Sequence, residues 1–165
     1  MDRGKAICEE LKKAGINYVI WLPDSDTHFM NRAMLSDPEI EVIQVCREGE
    51  GVAICAGLHL AGKRGTLVAK NWGIFDSGDV LGWAVGLKMP MLLLLSIKPY
   101  HYVENPGVRL KYYTEPFLST LGVPYYLVDS DEHVERVRLA SEEAWKTHRP
   151  VAVLLTNADQ YIAGS

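Results

Sequence analysis

Two acidic side chains, Glu48 and Glu50, open a glycine-rich segment directly after a predicted strand at residues 41–46. In an open parallel sheet, ligands bind outside the carboxyl ends of the strands, and Asn71 would lie at the end of the next strand. A carboxylate at that edge of the sheet would face a bound ligand. The alternative is that both acids only complement the dipole of the following helix, which is worth about 0.3 to 1 kcal/mol each.

The helix that begins near Glu48 is unusually rich in small residues. It carries glycines at positions 49, 51 and 57 beside alanines at positions 53, 56 and 61. Each glycine within a helix costs about 1 kcal/mol relative to alanine, so another interaction must compensate. Close approach of a backbone or a flat ligand is one explanation. Ordinary packing of the helix on a sheet is the other.

Apolar runs of strand length alternate with helical periodicities along the chain. The predicted strands are residues 17–23, 41–46, 65–71, 91–97, 124–129 and 150–156. The predicted helices are residues 2–14, 24–35, 48–63, 77–88, 114–121 and 130–149, with Asp76 or Ser77 as N-cap of the fourth and Ser130 of the last. This alternation predicts a single α/β domain over residues 1–165. Its core would be a six-stranded doubly wound parallel sheet with right-handed crossovers and helices on both faces.

The composition is that of an ordinary globular protein. Of the 165 residues, 48% are apolar and 23% are charged. A net charge of −4 argues against nucleic-acid binding, which needs clustered basic residues. The three cysteines show no C-x-x-C spacing, so we expect neither disulfides nor a zinc site, and a reducing cytoplasm is the simplest location. No signal peptide and no membrane-spanning segment are expected.

The motif Asp24-Ser25-Asp26-Thr27 follows an apolar strand. It is similar to the aspartyl nucleophile motif of haloacid-dehalogenase-like phosphatases, with Ser96 as a second element, although the threonine falls one residue early. Covalent catalysis by a carboxylate would suit that position. The simpler interpretation is that these residues cap the next helix. The fingerprints of dinucleotide-binding folds, P-loops and nucleophile elbows are absent.

A segment without periodicity, residues 98–112, follows the fourth predicted strand. Loops of about this length in a compact domain are usually functional or mobile. The segment carries Lys98, His101 and Arg109, and Lys70 lies near the carboxyl end of the third predicted strand. Cations at the carboxyl edge of the sheet are suited to binding an acidic substrate, and an arginine can hold a carboxylate, phosphonate or sulfonate through two parallel hydrogen bonds.

The sequence resembles the pyrimidine-binding (PYR) domain of thiamine-diphosphate enzymes. The resemblance covers nearly the whole chain and is strongest to sulfopyruvate decarboxylase alpha subunits and the matching part of phosphonopyruvate decarboxylase. It is carried by the Glu48-to-Gly57 spacing, by Asn71-Trp72-Gly73, and by the later run that begins at Pro90.

The resemblance implies a two-subunit 2-oxo acid decarboxylase. In such enzymes a glutamate, here Glu48, hydrogen-bonds the N1′ atom of the cofactor's aminopyrimidine and thereby activates the cofactor. The implied cofactor-binding residues are Glu48, Pro23, Asn71 and Gly73, and the implied substrate residues are Trp72, Lys98, His101 and Arg109.

Two departures from the family pattern qualify these implications. Relatives have Asn-Ser-Gly-Leu-Gly-Asn where this chain has Trp72 and Asp76, which changes the surroundings of the substrate. The Gly-Asp-Gly element that holds the cofactor's diphosphate through Mg²⁺ is also missing, because Asp79 is followed by valine. We therefore expect no metal site on this chain, with Mg²⁺ on a separate PP-domain (beta) subunit of a hetero-oligomer. A non-catalytic regulatory or binding module is the remaining alternative.

Overall fold

The computed structural model describes residues 2–97 and 111–156, with only the backbone of residues 111 and 112. The strands of this part of the chain are β1 Tyr18–Trp21, β2 Glu41–Gln44, β3 Gly65–Lys70, β4 Met91–Ile97, β5 Tyr125–Val128 and β6 Pro150–Thr156. The α-helices are α1 Arg3–Lys13, α2 Asn31–Ser36, α3 Glu48–Leu60, α4 Asn71–Asp76, α5 Gly78–Gly86, α6 Lys111–Thr120 and α7 Arg136–Thr147. Short 3₁₀ turns lie at His28–Met30 and Asp131–His133.

The six strands form one sheet in the order β2-β1-β3-β4-β6-β5, and every neighbouring pair is parallel. The predicted six-stranded doubly wound parallel sheet is therefore confirmed. Strands β4 and β6 are buried along their whole length, as their continuous apolar sequences predict.

Helices cover both faces of the sheet. On the first face, α1, α2 and α7 pack against alternate strand residues such as Leu92 and Leu94 of β4. On the second face, α3, α4, α5 and α6 pack against the intervening residues, such as Leu93 and Leu95. Because side chains alternate along a strand, each β4 residue serves one of two separate cores.

The structure differs from the sequence prediction in several details around the helix starts, although α5 begins directly after Ser77 as predicted. No helix begins at Asp24, because its carboxylate accepts the backbone N–H groups of residues 26 and 27 and closes a turn. Asn71 is already helical, as the first residue of α4. Ser77 does not cap α5 with its side chain, and its hydroxyl donates to the carbonyl oxygen of Gly73. Ser130 makes no side-chain cap either, because its hydroxyl contacts His133.

No helix in residues 2–97 or 111–156 has the length and apolar character needed to cross a membrane.

Candidate active site

The carboxyl ends of β1 and β3 lie side by side in the sheet. After β1 the chain continues into α2 on the first face, whereas after β3 it continues into α4 and α5 on the second face. Such a point, where successive connections leave a parallel sheet in opposite directions, opens a crevice that is the usual ligand site of doubly wound folds. The polar residues at these strand ends are therefore the candidate site.

Glu48 and Gly73 meet at this edge. Glu48 is the first residue of α3, and a Cβ atom built on Gly73 would overlap with the carboxyl group of Glu48. The carboxyl group thus lies directly on the backbone of α4, where only a glycine leaves room for it. The structure thus brings together two of the residues predicted for cofactor binding, and Glu48 as a whole is partly exposed.

Glu50, the second acid of the segment, caps the helix. Its Oε2 accepts hydrogen bonds from the backbone N–H groups of Cys46 at 3.1 Å and Arg47 at 3.2 Å. These bonds satisfy backbone donors ahead of the first turn of α3, which is the reciprocal half of a capping box. Glu50 therefore has a structural role at the start of α3.

An ion pair flanks Glu48 on the solvent side. The guanidinium of Arg47 donates to both carboxylate oxygens of Asp76, at 3.1 and 2.9 Å from Nη2. Hydrogen bonding to Asp76 raises the pKa of Arg47 above its usual value. Asp76, which departs from the family pattern, therefore joins the end of α4 to the start of α3.

Asn71 is buried at the start of α4. Its Nδ2 donates to Oγ1 of Thr114 on α6 at 2.9 Å. The amide nitrogen is therefore already engaged within the second face, and a role for Asn71 in cofactor binding stays a prediction.

The turn after β1 is held by its own side chains. Asp24 Oδ2 accepts the hydroxyl of Thr27 at 2.7 Å, and Thr27 Oγ1 accepts Nε1–H of Trp21 at 3.1 Å. Together with the two backbone bonds to Asp24 Oδ1, these contacts fix the turn that follows Pro23. They favour a structural role for the Asp-Ser-Asp-Thr motif over a phosphatase nucleophile, although the motif closes a turn and does not cap a helix as the simpler interpretation predicted.

Asp26 and Lys70 form an ion pair that the sequence analysis missed. The Nζ atom of Lys70 lies 2.9 Å from Oδ2 of Asp26 and 5.3 Å from the centre of the Trp72 ring. Asp26 is buried, whereas Trp72 is 47% exposed. Both charged residues lie near the carboxyl ends of predicted strands, but only the observed pairing of β1 with β3 shows that these two ends are neighbours.

The glycines of α3 have different surroundings. A Cβ atom at Gly51 would lie 2.5 Å from Cδ1 of Leu67 on β3, so helix-on-sheet packing explains this glycine. A Cβ atom at Gly57 would meet nothing within 4 Å. Packing on the sheet therefore accounts for only part of the small-residue pattern.

The remaining predicted substrate residues, Lys98, His101 and Arg109, lie outside the described residues. Within residues 2–97 and 111–156, no three histidine, cysteine or acidic side chains are placed to hold a metal ion.

An open cavity of about 580 Å³ lies elsewhere, between α1 and the connection from α2 to β2. Its central ammonium, that of Lys12, is paired with Glu9, Asp37 and Glu39. Because this ammonium is already paired with acidic side chains, we do not assign a ligand site to the cavity.

No family model matches the sequence. The chain is 27% identical over 158 residues to the sulfopyruvate decarboxylase alpha subunit of Methanococcus maripaludis, covering 94% of this chain and 95% of the relative. It is 25% identical over 152 residues to the sulfopyruvate decarboxylase of Methanosarcina acetivorans, covering 91% of this chain but only 39% of that protein. These similarities confirm the resemblance that the sequence motifs indicate.

The fold is also found in a solved structure. A 2-oxoglutarate:ferredoxin oxidoreductase from Magnetococcus marinus superimposes with a TM-score of 0.71 at 15% identity. The match covers 94% of this chain, which spans only 29% of the oxidoreductase chain. At this level of identity, the similarity shows a shared α/β fold and is no evidence of a shared activity.

Proposed function

We propose that this chain is the pyrimidine-binding subunit of a two-subunit, thiamine-diphosphate-dependent 2-oxo acid decarboxylase. The observation that carries the proposal is the contact between Glu48 and Gly73 at the carboxyl edge of the sheet. The similarity to sulfopyruvate decarboxylase alpha subunits over nearly the whole chain supports the reaction class.

The residues at the edge fit the aminopyrimidine half of the cofactor. Glu48 is partly exposed and its carboxyl group rests on a glycine, so no side chain at position 73 stands between it and a planar ring. A carboxyl group can hydrogen-bond a ring nitrogen, and Glu48 would hold a proton at N1′ of the pyrimidine. Pro23, Asn71 and Gly73 would border the ring. When bound, thiamine diphosphate supplies the electron sink for decarboxylation.

A second subunit would complete the site. The chain corresponds to 39% of the single-chain Methanosarcina acetivorans relative, so most of that protein has no counterpart here. The Mg²⁺–diphosphate motif is missing from this sequence. A beta subunit with a PP domain would supply it, and the cofactor would lie between the two chains of a hetero-oligomer.

The proposed substrate is a 2-oxo acid with a second anionic group, of the sulfopyruvate or phosphonopyruvate type. The names of the relatives support this choice. Lys98, His101 and Arg109 remain the binding residues that the sequence predicts for that group. Trp72 favours an apolar or aromatic substrate instead, because an indole can stack on such a side chain.

Reconstitution tests the proposal. We would purify the chain alone, a partner chain that carries Gly-Asp-Gly, and their complex, and measure CO₂ release from sulfopyruvate with thiamine diphosphate and Mg²⁺. Turnover is expected from the complex only, and calorimetry should show tight cofactor binding by the complex but not by the single chain. A complex that forms but decarboxylates no 2-oxo acid would indicate a regulatory module. Magnesium-dependent hydrolysis of phosphate esters by this chain alone would indicate a phosphatase.

A further inference from the structure

Among the residues that the structure describes, Lys70 is a cation at the crevice between β1 and β3. It is the last residue of β3 and lies three positions before Gly73, on which the Glu48 carboxyl group rests. The Lys70 side chain is 25% exposed, so part of it is accessible from solvent. Arg47, a second cation near Glu48, donates along one edge of its guanidinium to Asp76. Lys70 ends a strand that borders the crevice, whereas Arg47 follows β2, which is an edge strand of the sheet.

The surroundings of Lys70 fix the position of its ammonium. Asp26 holds it from one side at 2.9 Å, and the ring of Trp72 lies on another side within the range of a cation–π contact. Asp26 is in turn fixed by the turn in which Asp24 accepts its backbone N–H. A lysine restrained in this way loses less side-chain entropy when it binds a ligand than a freely moving one does.

Stability alone gives a weak reason for this arrangement. An ion pair that is largely buried, as this one is, often contributes no more to folding than apolar residues of the same size, because both charges lose much of their hydration. Ser96 lies opposite Lys70 in the β3–β4 register, and its buried hydroxyl has no hydrogen-bond partner among the described residues. Burying an unpaired hydroxyl also costs free energy. Lys70 on β3 and Ser96 on β4 are therefore neighbouring polar residues whose contribution to folding stability does not explain their presence at this edge.

We propose that Lys70 is the specificity residue that binds the second anionic group of the substrate. This inference rests on the proposed decarboxylase function. It gives the loop cations Lys98, His101 and Arg109 at most an additional role. It also assigns the indole of Trp72 to the lysine ammonium, so the exposed tryptophan does not require an aromatic substrate.

The test compares two substrates that differ only in the anionic group. The wild-type complex and its Lys70→Gln variant would be assayed with sulfopyruvate and with pyruvate, which lacks the sulfonate. We expect Lys70→Gln to raise KM for sulfopyruvate about ten- to hundredfold, the range for losing one hydrogen bond to a charged group. The kcat/KM for pyruvate should stay within about twofold, because pyruvate has no group for Lys70 to bind.

Lys63→Gln is the matched control, because Lys63 also lies over an aromatic ring, that of Tyr18 at 4.6 Å, but precedes β3 at the opposite edge of the sheet. If Lys70→Gln leaves Asp26 unpaired and prevents folding, the double variant Asp26→Asn/Lys70→Gln removes both charges and carries the same test. Equal losses with both substrates, or no change with either, would overturn the assignment of Lys70. A wild-type complex that decarboxylates no 2-oxo acid would instead overturn the proposed function, and with it this inference, before any variant is compared.

Discussion

Glu48 occupies the space that a side chain at residue 73 would need, although the two residues belong to different helices. The contact joins the carboxyl ends of β2 and β3, because α3 begins after β2 and α4 begins directly after β3. The Arg47–Asp76 pair joins the same two helices at their exposed side. The position of the Glu48 carboxyl group therefore depends on where α4 lies, and substitutions in α4 can test it.

Gly73→Ala should displace the carboxyl group without unfolding the chain. The atoms that the new methyl would meet belong to the movable end of the Glu48 side chain, and alanine is the better helix former by about 1 kcal/mol. A misplacement of about 1 Å can cost on the order of a hundredfold in rate, and we expect a loss of that size in the complex. Gly86→Ala, at an exposed end of α5 with open space around it, is the control. Full activity of Gly73→Ala would show that the contact does not set the geometry of catalysis.

The two acids of α3 should give opposite results when each is replaced by glutamine. Glu48→Gln removes the proposed proton-holding group, and decarboxylation by the complex should fall about 10²- to 10⁴-fold with little change in stability. Glu50→Gln weakens the hydrogen bonds to the backbone of Cys46 and Arg47, so the chain should lose roughly 0.5 to 2 kcal/mol of stability. Its activity should be nearly unchanged. Urea unfolding and steady-state kinetics on both variants would measure this, and comparable activity losses would contradict the assignment.

The sheet followed from the sequence because buried parallel strands leave continuous apolar runs, such as 91–97 and 150–156. The turn at Asp24 did not follow, because the same residue types that cap a helix also close turns, and only the backbone geometry distinguishes the two. Glu48 and Gly73 were both predicted at the site from the family motif. Their contact, like the Asp26–Lys70 pair, required knowledge of which strands are neighbours. Residue types at strand ends indicated where the site lies, but the strand order was needed to know which site residues contact each other.

The acid sensitivity of the chain should depend in part on Asp37. A hydrogen bond from Lys12 and another from the backbone N–H of Glu39 lower the pKa of Asp37 below its usual value. Because the pKa is lower in the folded state, Asp37 stabilises the fold above its unfolded pKa of about 3.9, and this contribution disappears as the pH falls through the folded value. Asp37→Asn should therefore destabilise the chain at pH 7, and the difference from wild type should shrink at about pH 2 to 3. Urea titrations at both pH values would show it, and a constant difference would contradict it.

The three cysteines should differ sharply in reactivity. Cys8 lies on the buried face of α1 and Cys55 on the buried face of α3, and burial raises the pKa of each thiol to about 12. Cys46 is exposed just before α3. Since the thiolate is the reactive form, iodoacetamide at pH 8 should modify Cys46 in the native chain, while all three residues should react in urea. Mass spectrometry of peptides would locate the labels.

Because Cys46 lies two residues from Glu48, assembly with the partner subunit should slow its modification if the partner covers this edge of the sheet. Rapid native labelling of Cys8 or Cys55 would contradict the packing of α1 or α3 described above, and unchanged labelling of Cys46 in the complex would place the partner elsewhere.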